Sequence, residues 1–212
     1  MKKMVLGSVA LAVCFTGTSL FASTIFSENF ESATPGLSQT SAGQFTAING
    51  TNIDVVAASN GWGSLVVAPE SGNVVDLGGS GGNSYGDLQS SVITLKPGSY
   101  DFSFDLVGSQ RGITTTTDVF VAPVVPGTDL YSNFFTLGTS DKTVTNALLT
   151  VGTTEQVTIN FVLTETGNPN IGSLLDNVEI TSTPEPSSLL LLGSGLVALA
   201  GFARRKFGTN NA

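Results

Sequence analysis

From Ser99 to Val107 the chain alternates: Tyr100, Phe102, Phe104 and Leu106 fall on one phase, Asp101, Ser103 and Asp105 on the other. Successive side chains of a strand point to opposite faces, so this stretch has one face to bury and one to leave polar. A helix would scatter the same large side chains around its circumference. Burying each one contributes roughly 1.5–3 kcal/mol, which makes this a core strand. Any fold for the chain must therefore supply a second apolar surface over it. Gln156–Leu163 repeats the pattern with Val157, Ile159, Phe161 and Leu163. Thr24–Glu31, Asn52–Ala57, Leu65–Val67, Val74–Leu77, Leu88–Leu95, Asp118–Val125, Tyr131–Leu137, Thr143–Val151 and Ser173–Thr181 are further strands, separated by turn-forming clusters. That gives about ten strands and no helix in the body, the pattern of two packed antiparallel sheets. Gly78–Ser84 reads as a flexible hairpin or loop, because no Lys-Ser or Lys-Thr and no helix follows it to make a phosphate site.

The two ends differ from this body. Lys2-Lys3, the apolar run Met4–Phe15 and a small residue at Ala22 make residues 1–22 a secretory signal peptide, cut between Ala22 and Ser23. Cys14 is the chain's one cysteine and leaves with that signal, so the mature protein has no thiol chemistry. A lipoprotein box around it is disfavoured by Val13 at the position before the cysteine. At the other end Pro184-Glu185-Pro186 forms an extended break. Leu189–Ala203 then carries no charge, and with Ser187 and Ser188 it makes about 17 residues, the short end of a membrane-spanning helix. Arg204, Arg205 and Lys206 follow as a stop that keeps the polar tail, 207–212, on the cytoplasmic side. An ordinary tail anchor has the same span and basic cluster, but it does not require Pro-Glu-Pro beside it.

Of 8 Lys and Arg, only Lys96, Arg111 and Lys142 lie between these ends, and no His occurs anywhere. Set against fifteen of the 16 acids, the three bases leave the body, 23–183, at −12. Such a surface repels phosphate backbones and excludes nucleic acid as a partner. Without His there is no Ser-His-Asp, Cys-His or His-metal site. A glycosidase could work with two carboxylates alone, yet nothing in the sequence marks one pair among the acids. Asp101 and Asp105 read as a solvated strand face.

The order of tripeptide, apolar span and basic cluster over 184–206 resembles the PEP-CTERM sorting signal of bacterial exopolysaccharide-producing systems. The resemblance implies export across the inner membrane to the envelope, surface or extracellular matrix. It further implies transient anchoring through one C-terminal transmembrane helix and cleavage at Pro184, Glu185 and Pro186 by an exosortase. Within the body, Asn29-Phe30-Glu31, Pro97-Gly98-Ser99-Tyr100 with the strand after it, and Leu174-Leu175-Asp176-Asn177-Val178 occur in that order. Together they resemble jelly-roll carbohydrate-binding modules and galactose-binding-like domains. This implies an all-β sandwich, in which Glu31 and Asp176 match the positions that supply carboxylates to a structural calcium.

Asp176 also has an argument from alternation. It shares its phase with Leu174, Val178 and Ile180, which turns a carboxylate toward the core unless a cation or backbone N–H groups meet it. Calcium ligand and loop cap both satisfy that requirement. Sugars stack on exposed rings, and the aromatics beside loop residues are Trp62, Tyr85 and Tyr131. Trp62, between Gly61 and Gly63, either stands out of its loop or folds back as a lid on the core. Two functions follow. One is a non-enzymatic surface or exopolysaccharide-matrix protein; the other is a lectin-like adhesin for matrix or cell-surface glycan. A glycoside hydrolase is a distant third.

Overall fold

The computed structural model describes residues 22–57, 64, 72–81, 85–139, 141–184 and 192–200. Its body is one compact unit, Ala22–Thr183. In chain order the strands are β1 (Ser23–Glu28), β2 (Gly36–Gln39), β3 (Ser41–Ala42), β4 (Phe45–Ala47), β5 (Ile53–Val56), β6 (Val74–Asp76) and β7 (Asp87–Ser90). They continue as β8 (Ile93–Leu95), β9 (Gly98–Val107), β10 (Thr115–Pro123), β11 (Tyr131–Leu137), β12 (Lys142–Val151), β13 (Glu155–Thr166) and β14 (Leu174–Thr183). Sheet A runs β12-β9-β14-β6-β5-β2, with β1 also on β14. Sheet B runs β11-β10-β13-β7-β4-β3, with β8 also on β13. Every pairing between these strands is antiparallel. The result is the expected two-sheet sandwich.

The alternation at Ser99–Val107 sets the interior. Tyr100, Phe102, Phe104 and Leu106 are all buried. Opposite them on β13, Val157, Ile159, Phe161 and Leu163 bury the facing side. The Phe104 and Phe161 rings meet edge-on at 5.3 Å, which ties sheet A to sheet B at its centre. Leu88–Leu95, read from sequence as one strand, is two. The Ser90 hydroxyl accepts the Ile159 N–H, Ser91 turns to donate its own N–H to Gln44, and β8 then rejoins β13. Gly78 and Gly79 are not a flexible hairpin. A Cβ on Gly78 would lie 2.4 Å from the backbone of Ile171 and Gly172, and one on Gly79 would lie 1.9 Å from Asn52 Oδ1. They are glycine because two loops pass almost in contact. The expected strand Leu65–Val67 lies outside the described residues.

Sheet A buries more than one face. Val56, Val74, Val107 and Leu174 form a second apolar cluster on its outer side. Asp54 pairs with Asp76, and Asp105 with Asp176, on that same side, so the sheet carries four buried carboxylates there. Asp105 is thus not a solvated residue; it accepts from the Asn177 side chain at 2.8 Å. Asp54 accepts from the N–H of Ser38 and Ser80 and from the Ser80 hydroxyl. Asp76 holds three loops together. Its Oδ1 accepts the N–H of Gly78 and of Gly172, each at 2.8 Å, and its Oδ2 pairs with the Arg111 guanidinium. Burial pushes Asp76 up to about 7, against the opposing pull of Arg111 and the two N–H groups, while Asp54 across the strand adds a small upward push.

Residues 192–200, inside the C-terminal apolar run, are helical. No helix among the described residues is long and apolar enough to cross a membrane. The rest of the run, with Arg204, Arg205 and Lys206, lies outside the described residues.

The Asp76 network has a pH signature. Its folded value stands above its ordinary 3.8, so the contribution to stability is full below about 3.8 and is lost as pH rises through about 7. From pH 5 to 7 the protein is expected to lose about 2 kcal/mol more stability than Asp76→Asn does. Denaturant melts at stepped pH check this, and parallel pH profiles for the two proteins would refute it.

Candidate functional site

Sheet B leaves its outer face open to solvent, whereas loops cover the outer face of sheet A around Asp54 and Asp76. Three rows of side chains cross it. Phe134, Asp118, Val162 and Asp87 lie in register across β11, β10, β13 and β7. The next row is Ser132, Phe120, Asn160 and Gln89, and beyond it Ala122 sits opposite Thr158. Ile48 and Asn49 rise on one side of these rows, with Val92, Pro123 and Val124 on the other. Together they enclose a groove of about 450 Å³.

The walls and floor are fixed locally. Asn49 and Gly50 both have positive φ, and Thr51 donates its N–H to the Ile48 carbonyl at 3.0 Å. That is a type I′ turn, which needs Asn-Gly at its centre. It presents the Asn49 amide to Asp87 Oδ2 at 2.6 Å, while the Ile48 N–H bonds the Asp87 carbonyl at 2.8 Å. In the floor, Asn160 is buried; it donates to Thr158 and accepts from Gln89 Nε2 at 2.9 Å. The Asn160 amide is thereby locked, and it orients Gln89. Beside the groove, Phe134 is 61% exposed. Asp118 Oδ1 is buried with no hydrogen-bond partner among the described residues. Burial raises the Asp118 carboxyl, and Asp129 adds to the rise. The face therefore offers rings for stacking and fixed amide and carboxylate groups for hydroxyls. None of the body's three bases lies in it.

The aromatics expected to stack are placed elsewhere. Tyr131 points inward, edge-on to Phe102 at 5.4 Å, and burial raises its phenol. Tyr85 is 38% exposed, but its hydroxyl donates to the Thr166 carbonyl at the loop end of the sandwich, and it does not line the groove. Trp62 lies outside the described residues. Phe120 and Phe134 take that place on sheet B, and the sequence held a sign of both. Phe120 falls on the outward phase of a strand whose Val119 and Val121 are buried. In Phe134-Phe135 adjacent residues of one strand cannot both face inward.

The expected calcium carboxylates are not brought into one metal centre. Glu31 is exposed, and its Oε1 accepts the Asn73 N–H at 3.1 Å. Asp176 is buried, but a bulge at Asn177, whose φ is 51°, breaks the alternation. Leu175, Val178 and Ile180 join the main core, while Leu174 and Asp176 face the outer side of sheet A. Asp176 Oδ1 accepts the Asn177 N–H at 2.8 Å, a local cap. No group of three or more His, Cys, Asp or Glu able to hold a metal occurs among the described residues.

Residues 182–206 match the PEP-CTERM protein-sorting motif. Of its tripeptide, Pro184 is described, while Glu185 and Pro186 lie outside the described residues. No curated protein matches the chain. Among solved structures, the CBM22-1 xylan-binding domain from Paenibacillus barcinonensis Xyn10C is similar at a TM-score of 0.53 and 12% identity, covering 79% of this chain and 99% of that one. The K1 cleaved adhesin domain of Lys-gingipain from Porphyromonas gingivalis W83 follows at 0.48 and 16%, covering 76% and 99%. The first likeness shows the fold alone. The chain thus joins a PEP-CTERM sorting motif to a body with the jelly-roll sandwich fold of a carbohydrate-binding module.

Proposed function

We propose that this is an exported protein of the cell surface or exopolysaccharide matrix, processed by an exosortase, whose sandwich binds an extended glycan along the outer face of sheet B. The observation that carries the binding reading is the groove itself. It is open along the sheet, floored by Phe120 and by the Asn160–Gln89 amide pair, and walled by a turn that holds Asp87. A glycan chain needs a ring to stack on and oriented groups for its hydroxyls, and it cannot enter a closed pocket. The acidic face with no base favours neutral sugars over uronates. This reading does not rest on a structural calcium: among the described residues Glu31 and Asp176 fall in no group of three or more acids able to hold a metal.

Binding is measured with the full chain in detergent against a panel of soluble glycans, beginning with xylan because the similar module is a xylan-binding domain. Phe120→Ala is expected to weaken the best ligand about tenfold, equivalent to about 1.4 kcal/mol, with an unchanged melt. Tyr85→Ala is expected to bind as the wild type does. Equal loss in both variants would move the sugar site off the Phe120 groove, and no binding to any glycan would leave a matrix protein without a sugar site. Turnover of a glycan would instead support a hydrolase.

Sorting is tested separately in a host with an exosortase. Replacing Pro184, Glu185 and Pro186 together with Ala is expected to leave uncleaved protein in the membrane fraction. Normal processing of that variant would overturn the exosortase reading.

A further inference from the structure

Edge strands expose unpaired backbone N–H and C=O groups, and folded proteins blunt them with short length, bulges, prolines or charges. The two sheets end in four strands, β12 and β2 in sheet A and β11 and β3 in sheet B; β11 stays unblunted beside the groove, and two of the others are blunted. β2 is four residues with a register shift, and β3 is two residues. β12 is not. It forms a ladder of ten residues with β9 and no bulge, and among the described strands nothing pairs with its other side. It holds no proline and no acid, and its one charge, Lys142, stands at its first residue. Outward along it lie Val144 and Leu148, 69% and 66% exposed.

We infer that β12 is the interface with a second copy of this chain, paired antiparallel about a two-fold axis through Asn146. Pairing a strand with itself across such an axis sets each residue opposite its mirror position. About Asn146 this puts Val144 opposite Leu148 twice, Lys142 opposite Thr150 twice, and Asn146 opposite Asn146. Both exposed apolar residues are then covered, and the two facing amides can bond each other. Neighbouring register choices lose this match. A one-residue slip turns each outward side chain against an inward one.

Charge does not bar this partner at β12. The body carries −12, so two copies repel over most of their surface. β12 brings no acid of its own to that approach, and Asp101 and Asp105 lie one strand further in, on β9. A segment of another protein would have to match an apolar, polar, apolar spacing that a second β12 supplies by identity. Sheet A then continues from one copy into the other.

The full chain in a Cys14→Ser background, purified in detergent, is expected to show a protein mass of two chains by light scattering. Asn146→Cys is expected to crosslink under mild oxidation, because facing residues of antiparallel strands lie within disulfide reach. Thr150→Cys is not, because its two copies would lie about 27 Å apart along the strands. Val144→Lys with Leu148→Lys, both on exposed side chains, is expected to give monomers with an unchanged melt. A monomeric wild type, equal crosslinking at 146 and 150, or a dimer that survives the double lysine variant would each overturn the inference. The crosslinking pair decides the question even if the lysine variant folds poorly.

Discussion

Phe161 stands in the middle of β13, with the ring of Phe104 from the opposite sheet at 5.3 Å and that of Phe45 from its own sheet at 6.0 Å. Phe45 in turn meets Phe26 and Phe30, and Phe104 meets Phe102 and Phe135. Through this chain of rings the two sheets have to agree on register. A one-residue slip of β9 or β13 would send its rings to the wrong face and empty the interior. With the interior fixed, the opposite phase of each strand is fixed too. The groove on sheet B and the buried aspartates on sheet A both lie on that opposite phase.

The two outer faces then part ways. On sheet A the loops carrying Arg111, Gly172 and Ser80 fold over the carboxylates of Asp54 and Asp76, and that part of the face becomes interior. Ion pairing and backbone N–H groups offset the cost of burial only in part there, which is why Asp76 titrates so high. On sheet B the Asn49-Gly50 turn and the Pro123–Val124 segment stand beside the rows without covering them. The loops thus make one face structural and leave the other open to a ligand.

The sandwich, its core strands and the sorting motif were legible in the sequence because each rests on a local pattern. Period-2 alternation holds wherever a strand is regular, as along Ser99–Val107. It misled at Asp176, where Asn177 takes a left-handed φ and one bulge reverses the face of every residue before it. It also hid the break at Ser91, which depends on a hydroxyl replacing a ladder bond from a strand far away in sequence. The groove was hidden for a related reason. Loop aromatics such as Tyr85 and Tyr131 draw attention because glycines and turns surround them. A face is instead assembled from β7, β10 and β13, which only the strand order brings together. Gly78 and Gly79 read as slack, and their real constraints are neighbours distant in the chain, Ile171–Gly172 for the first and Asn52 for the second.

Glycan binding on the outer face of sheet B, as proposed, has a direct readout. Amide-resolved NMR of the labelled protein during titration with xylan oligosaccharide tests it most directly. The side-chain amides of Gln89 and Asn160 and the backbone amide of Phe120 are expected to shift together and saturate at one affinity, while Tyr85, Glu31 and Asp176 stay in place. Shifts that gather at Tyr85 and the Thr166–Asn170 loop, with the Gln89 and Asn160 amides unmoved, would contradict it.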